Sequence, residues 1–125
     1  MRRALLLLAL APVAAGTQEQ GAALFATHCA SCHATSAQAP PGPGPRLRGV
    51  LGRTVAGDAG FDYSPALQAA RRDGLAWDRD RLARFLADPE EEFPGTWMGN
   101  RLRDARDIAA VVEHLAQGNS SSAPD

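Results

Sequence analysis

Five consecutive residues, Cys29-Ala30-Ser31-Cys32-His33, carry the most specific chemistry in the chain. Two thiols three positions apart can each form a thioether with a different vinyl group of one porphyrin. An imidazole directly after them can supply a nitrogen to its iron. Other uses of the two cysteines are open at this point. A zinc site needs further Cys or His ligands at finger spacing, and the chain has 2 cysteines and 3 histidines in all. A thiol redox pair belongs beside a βαβ pattern, which the sequence lacks. A bare structural disulfide is compatible with the spacing.

A second donor to iron can be read from Phe93-Pro94-Gly95-Thr96-Trp97-Met98. Met98 is the one methionine besides Met1. It lies in a Pro-Gly loop, off any amphipathic face, where core filler is not expected. A thioether sulfur is a soft neutral donor, and a His/Met pair raises the reduction potential of haem iron. His28 reads as a histidine on the surface of a helix, because His33 already fills the ligand role beside it. His114 is the rival to Met98, with packing at a helix crossing as its plainer role.

The elements that must position these residues read as helices. Thr17-Gln18-Glu19-Gln20 has the form of a capping box, and Gly21, Leu24, Phe25 and His28 then share one face of a helix that runs into the cysteines. Residues 39–45, Ala-Pro-Pro-Gly-Pro-Gly-Pro, form a loop folded back to bring Pro45 near His33. Ser64 and Pro65 cap and open a short helix to about Arg72, stopped by Gly74. Asp78 caps another with an apolar stripe of Leu82, Phe85 and Leu86, ended by Asp88-Pro89. Asp104 caps the last, with Ile108, Val111, Val112 and Leu115 on one face and Gly118 closing it. No stretch alternates at period two, so the fold class is all-α, with helices and loops wrapped around one cofactor.

At 125 residues the chain is one small domain with a modest core. Residues 1–15 read as a signal peptide, with Arg2 and Arg3, an apolar run over 4–11 and small residues at 13–15 before Gly16. The run is short for a bilayer, so a membrane association requires that the leader be retained as an anchor. Export implies an oxidising compartment, the periplasm. Residues 16–118 form the domain, and the Ser-rich 119–125 a disordered tail. All 13 cationic residues are arginine, and loss of the leader takes the formal net charge from −1 to −3, which gives no reason to expect nucleic-acid binding.

The chain resembles the class I c-type cytochromes, the small soluble cytochromes c of mitochondria and bacteria. The resemblance spans about Gly16 to Leu115. It rests on Gly21-x3-Phe25-x3-Cys29-x2-Cys32-His33, Gly44-Pro45-Arg46-Leu47-x-Gly49, Gly52-Arg53 and Gly60-Phe61-x-Tyr63-Ser64, then on Trp77, Phe85-Leu86-x-x-Pro89 and Pro94-Gly95-Thr96-x-Met98. It implies one covalent haem c on Cys29 and Cys32, ligated by His33 and Met98. The Pro45 carbonyl would accept the other imidazole N–H. Arg53, Tyr63, Trp77 and Thr96 would bond or shield the haem propionates, and Gly21 and Phe25 would pack on the C-terminal helix. The sequence also departs from the family. Phe85 stands where many members have a tyrosine, Asn100 and His114 where they have aromatics, and Trp97 where a lysine is common. The lysine ring used for docking is absent.

The function this implies is that of a monomeric periplasmic one-electron carrier, not an enzyme, shuttling between redox proteins such as a dehydrogenase, a quinol-oxidising cytochrome complex or an oxidase of the respiratory chain. Its rivals are the haem subunit of a multi-component oxidoreductase, a small haem peroxidase, or a thiol protein without haem. Arg46, Arg48, Arg101 and Arg103 are candidate positive rim residues for docking. Glu90, Glu91 and Glu92 are candidate negative ones, and Trp97 could add an apolar contact.

Overall fold

The computed structural model describes residues 4–7 and 14–120. Among the described residues the regular elements are helices: α1 (Ala14–His28), α2 (Pro65–Arg72), α3 (Arg79–Ala87), α4 (Pro89–Glu92) and α5 (Ala105–Ser120). One isolated bridge, Thr54 to Ala76, is the extent of β structure among them. The chain is all-α, as the missing period-two alternation predicts.

The local signals set most helix ends. Ser64 Oγ accepts the Leu67 N–H at 3.3 Å, with Pro65 in the first turn, and α2 gives way at Asp73 to Gly74, whose φ of 72° an L side chain rarely adopts. Asp78 accepts the Arg81 N–H at 2.7 Å to start α3, and Asp104 the Arg106 N–H at 2.7 Å to start α5.

Three boundaries differ from the sequence expectation. First, α1 begins at Ala14, not after a cap at Thr17. Alanine is the best helix former, and Ala14 and Ala15 extend the helix backward across the expected leader boundary, the rest of which lies mainly outside the described residues. Second, Asp88 both ends α3 and caps α4, accepting the Glu91 N–H at 3.1 Å. The proline that cannot continue one helix is well placed in the first turn of the next. Third, α5 runs through Gly118 to Ser120. A left-handed glycine cap is normally backed by an apolar residue just beyond it, and Asn119 and Ser120 offer none. Residues 121–125 of the expected tail lie outside the described residues.

The core forms where α1 and α3 each pack on α5. Leu82, Phe85 and Leu86 on α3 are buried, as are Val111, Val112 and Leu115 on α5 and Phe25 on α1. α1 and α5 cross closely at Gly21. A Cβ there would lie 2.4 Å from the Ala110 carbonyl oxygen and 2.9 Å from His114 Cβ. Glycine inside a helix costs about 0.5–1 kcal/mol relative to alanine, and here it permits the contact that fixes how α1 presents its C-terminal end. Beside the crossing, the His114 ring packs on Phe25 with centroids 5.4 Å apart. On the far side of the core, Trp77, Phe85 and Phe93 form an aromatic cluster with centroids 5.0 to 6.0 Å apart, within the range where edge-to-face pairs gain beyond simple burial.

Candidate haem site

α1 does not stop cleanly. Its end runs on in overlapping turns, with the Cys29 and Ala30 amides both on the Phe25 carbonyl, and the Cys32 and His33 amides both on the Cys29 carbonyl. This places the two cysteines and His33 on one wall of a cavity of about 470 Å³, inside the ~300–1,000 Å³ range of cofactor sites. Apolar side chains from the core, among them Phe25, Val50, Leu82, Leu86, Val111 and Leu115, line the rest. All nine residues singled out from the sequence, Cys29, Cys32, His33, Pro45, Arg53, Tyr63, Trp77, Thr96 and Met98, reach this cavity. They come from six separate segments of the chain. His114 does not line it.

His33 is oriented by a hydrogen bond of its own. Its Nδ1 lies 2.8 Å from the Pro45 carbonyl oxygen. A carbonyl only accepts, so Nδ1 carries the proton and the Nε2 lone pair is left for a metal. Burial pushes the imidazole pKa down, partly countered by the bond to Pro45, which keeps the ring neutral as a ligand must be. Gly44 permits this approach, since a Cβ there would stand 2.6 Å from His33 Cε1 and 2.8 Å from Nδ1. Gly44 N–H to the Cys32 carbonyl and Leu47 N–H to the Ala34 carbonyl, each 2.8 Å, lace the proline loop to the cysteine segment. No disulfide joins Cys29 and Cys32. Burial, and then the neighbouring Cys32, raise the pKa of Cys29.

Around the polar end of the cavity, Arg53 donates to the carbonyls of Arg46 at 2.9 Å and Arg48 at 3.0 Å. Tyr63 is buried, and its hydroxyl accepts the Asp58 N–H at 3.0 Å, which leaves its own proton to donate. Two polar atoms here, Arg53 Nε and Thr96 Oγ1, are buried without a partner. An orphaned buried donor costs about 1–3 kcal/mol, so such atoms point to a missing acceptor.

Haem fits these residues on three counts. The two cysteines and the lone pair of a pre-oriented imidazole share one wall. Met98 brings a soft sulfur to the same space from another loop. Arg53 Nε, Thr96 Oγ1 and the Tyr63 proton supply unmatched donors for two propionates.

Sequence reasoning missed one residue near the site, Asp58, and named another, Asn100, without a role. Asp58 forms an ion pair with Arg46 at 2.7 Å, a bond between loop residues twelve apart that no local pattern signals. Asn100, which stands where many family members have an aromatic, donates to the His28 carbonyl at 2.7 Å and clips the Met98 loop to the end of α1. Some expected docking charges are used internally. Arg46 is tied to Asp58, and Glu92 accepts two bonds from Arg84 at 2.9 and 3.2 Å.

Comparison with known proteins agrees with this geometry. Residues 18–119 match the family model described as cytochrome c. A cytochrome c2 of Agrobacterium tumefaciens is 39% identical over 83 residues, covering 66% of this chain and 74% of the relative. A cytochrome c 2.1 of Caenorhabditis elegans is 35% identical over 114 residues, covering 90% of this chain and 99% of the relative. Among solved structures, cytochrome cH from Methylobacterium extorquens superposes with a TM-score of 0.70 at 32% identity, covering 80% of this chain and 97% of that one.

Proposed function

The chain belongs to the cytochrome c family, and on that premise we propose that it is an exported, monomeric electron carrier of the periplasm that shuttles between respiratory redox proteins. It is an electron-transfer protein that carries haem c. Bound in the cavity, the haem supplies a one-electron ferric/ferrous couple.

The residues divide the work of holding it. Cys29 and Cys32 tether it, His33 ligates through Nε2, and Met98 ligates from the second loop. Trp77, Leu82 and Phe85 keep water from it, while Arg53, Tyr63 and Thr96 meet its propionates. Residues 1–15 act as the leader, and 16–118 form the working domain. Among the described residues no helix is long and apolar enough to cross a membrane.

Electrons leave and enter at the mouth of the cavity, where Cys32 and Asn100 are exposed. Trp97 is 67% exposed at the same rim. It offers an apolar contact to a dehydrogenase, a quinol-oxidising cytochrome complex or an oxidase, in the small transient interface usual for redox encounters.

The observation that carries this reading is the pairing of a pre-oriented His33 with Met98 around one cavity that both cysteines also face. A pyridine haemochrome spectrum with the mass of the purified mature protein tests it. One covalent haem per chain and a mass lacking residues 1–15 are expected. A colourless mature protein, made alongside haem-ligation machinery, would sink the proposal.

A further inference from the structure

The peptide joining Pro45 to Arg46 is bonded on both sides. Its carbonyl oxygen accepts His33 Nδ1–H at 2.8 Å, and its N–H donates to Asp58 Oδ2 at 2.9 Å. The described residues contain no cis peptide bond, and a trans amide points these two groups in opposite directions. His33 and Asp58 are therefore linked end to end through one conjugated unit.

Asp58 is built for that place. Its side chain is only 8% exposed. Besides the amide of Arg46 it accepts Arg46 Nε at 3.0 Å, Arg46 Nη2 at 2.7 Å and the Gly60 N–H at 3.1 Å. Its own N–H is fastened to Tyr63. Arg46 also reaches the Ala37 carbonyl at 2.8 Å, so the carboxylate anchors the loop that carries Pro45.

We propose that Asp58 is a positioning residue for His33, acting through the Pro45 to Arg46 peptide to strengthen the hydrogen bond on Nδ1. A carboxylate on the amide N–H draws the peptide toward its charge-separated form and makes the carbonyl oxygen a better acceptor. Hydrogen bonds in series polarise one another in this way. A stronger acceptor on Nδ1–H raises the basicity of Nε2, and a more basic ligand favours the ferric state. This rests on the reading of His33 as the haem ligand.

The rival account is through-space charge, in which Asp58 and Arg46 act as an ion pair with opposing effects. Three variants of the haem-loaded protein separate the two. Asp58→Asn keeps the shape and removes the charge. Arg46→Met removes the guanidinium and keeps the amide bond to Asp58. The third combines both. The readouts are the ferric:ferrous ratio at a fixed poise and the NMR resonance of the His33 Nδ1 proton.

With Asp58→Asn the ratio moves toward ferrous by about threefold or more, about 30 mV for a one-electron couple, and the Nδ1 proton moves upfield. With Arg46→Met the Nδ1 proton does not move upfield, and the double variant keeps the direction of Asp58→Asn. A double variant that returns to the parental ratio overturns the proposal. So does an Asp58→Asn protein with an intact haem spectrum and an unmoved Nδ1 proton. Should Asp58→Asn not fold, Arg46→Met decides alone, because upfield movement of its Nδ1 proton assigns the effect to the ion pair and overturns the proposal. A parental protein with no Soret band would overturn the haem reading instead, and this proposal with it.

Discussion

The segment that carries His33 and the segment that carries Met98 reach the same cavity but are built differently. Around His33, the Pro45 carbonyl, two backbone bonds across the loop and the Asp58 carboxylate fix the imidazole by hydrogen bonds alone. Around Met98, no hydrogen bond from the backbone amides of residues 97–101 is seen among the described residues. The loop is held at its ends instead. Thr96 N–H bonds the Phe93 carbonyl at 3.0 Å and Leu102 N–H the Leu86 carbonyl at 2.8 Å, with Asn100 clipped to His28 between them. The His33 side is braced along its length by hydrogen bonds, and the Met98 side only at its ends. Segments with few protected backbone bonds open at lower free energy, so ligand exchange should begin at Met98.

The strongest way to break this contrast is to remove the cofactor. An unfilled cavity costs about 24 cal/mol per Å³. For 470 Å³ that comes to at most about 11 kcal/mol, comparable with the whole stability of a small domain, about 5–15 kcal/mol. A Cys29→Ser/Cys32→Ser variant should therefore lose its cooperative thermal transition by circular dichroism. A sharp transition close to that of the parent would mean that packing alone sustains the fold.

Two single substitutions address the sides separately. Met98→Ala should cost about 2–3 kcal/mol, the lower end for such truncations, because its loop can relax. The weak far-red band of Met-ligated ferric haem should vanish while the His33 Nδ1 proton keeps its position. Gly44→Ala should cost about 1–3 kcal/mol by overpacking and do the reverse, moving the Nδ1 proton and sparing the band. If both variants disturbed both signals, the two sides would not be independent.

The contrast also explains what the sequence could reveal. Ser64-Pro65, Asp78 and Asp104 announce helix starts because a cap and its amide partner lie within three residues. The nine cavity residues could be named because thioether chemistry, a lone methionine and a family resemblance each point to a residue type. Asp58 could not, since its meaning depends on Arg46 twelve positions away and on a loop fold that no periodicity encodes. α4 was hidden for a different reason. Asp88-Pro89 is equally a stop and a start, and only the packing of Phe93 against Trp77 makes the chain turn again there.

Acid should separate the two sides by pH. The Arg46 guanidinium beside Asp58 holds that carboxyl well below the usual carboxylate range. Arg84 lowers Glu92 by a smaller amount, and Glu92 braces α3 against α4 just ahead of the Met98 loop. Each folded-state pKa is depressed, so each contributes stability above its unfolded value, about 3.9 for Asp and 4.3 for Glu. That stability is lost as pH falls from there toward the folded value. Glu92 should complete its loss first. Amide exchange should therefore accelerate in residues 93–102 at a higher pH than in residues 44–58. Asp58→Asn should flatten the acid slope of the second region only. Simultaneous loss in both would mean a single cooperative unit.

Thr96 gives the smallest effect and a test by sign. Its Oγ1 is buried and unpartnered, whereas Nδ1 of His33 is already satisfied. Thr96→Val keeps the shape and deletes the hydroxyl. If no acceptor ever reaches Oγ1, the haem-loaded variant gains stability, because a buried orphan costs about 1–3 kcal/mol and valine carries none. If a haem propionate accepts its proton, the variant instead loses about 1.5 kcal/mol, the low end for hydrogen bonds to charged groups, and the propionate is left with one donor fewer. The second outcome is expected, read as a lower denaturation midpoint with unchanged slope. It would show that the methionine side, like the histidine side, ends with its polar groups paired, differing only in that the cofactor supplies the partner.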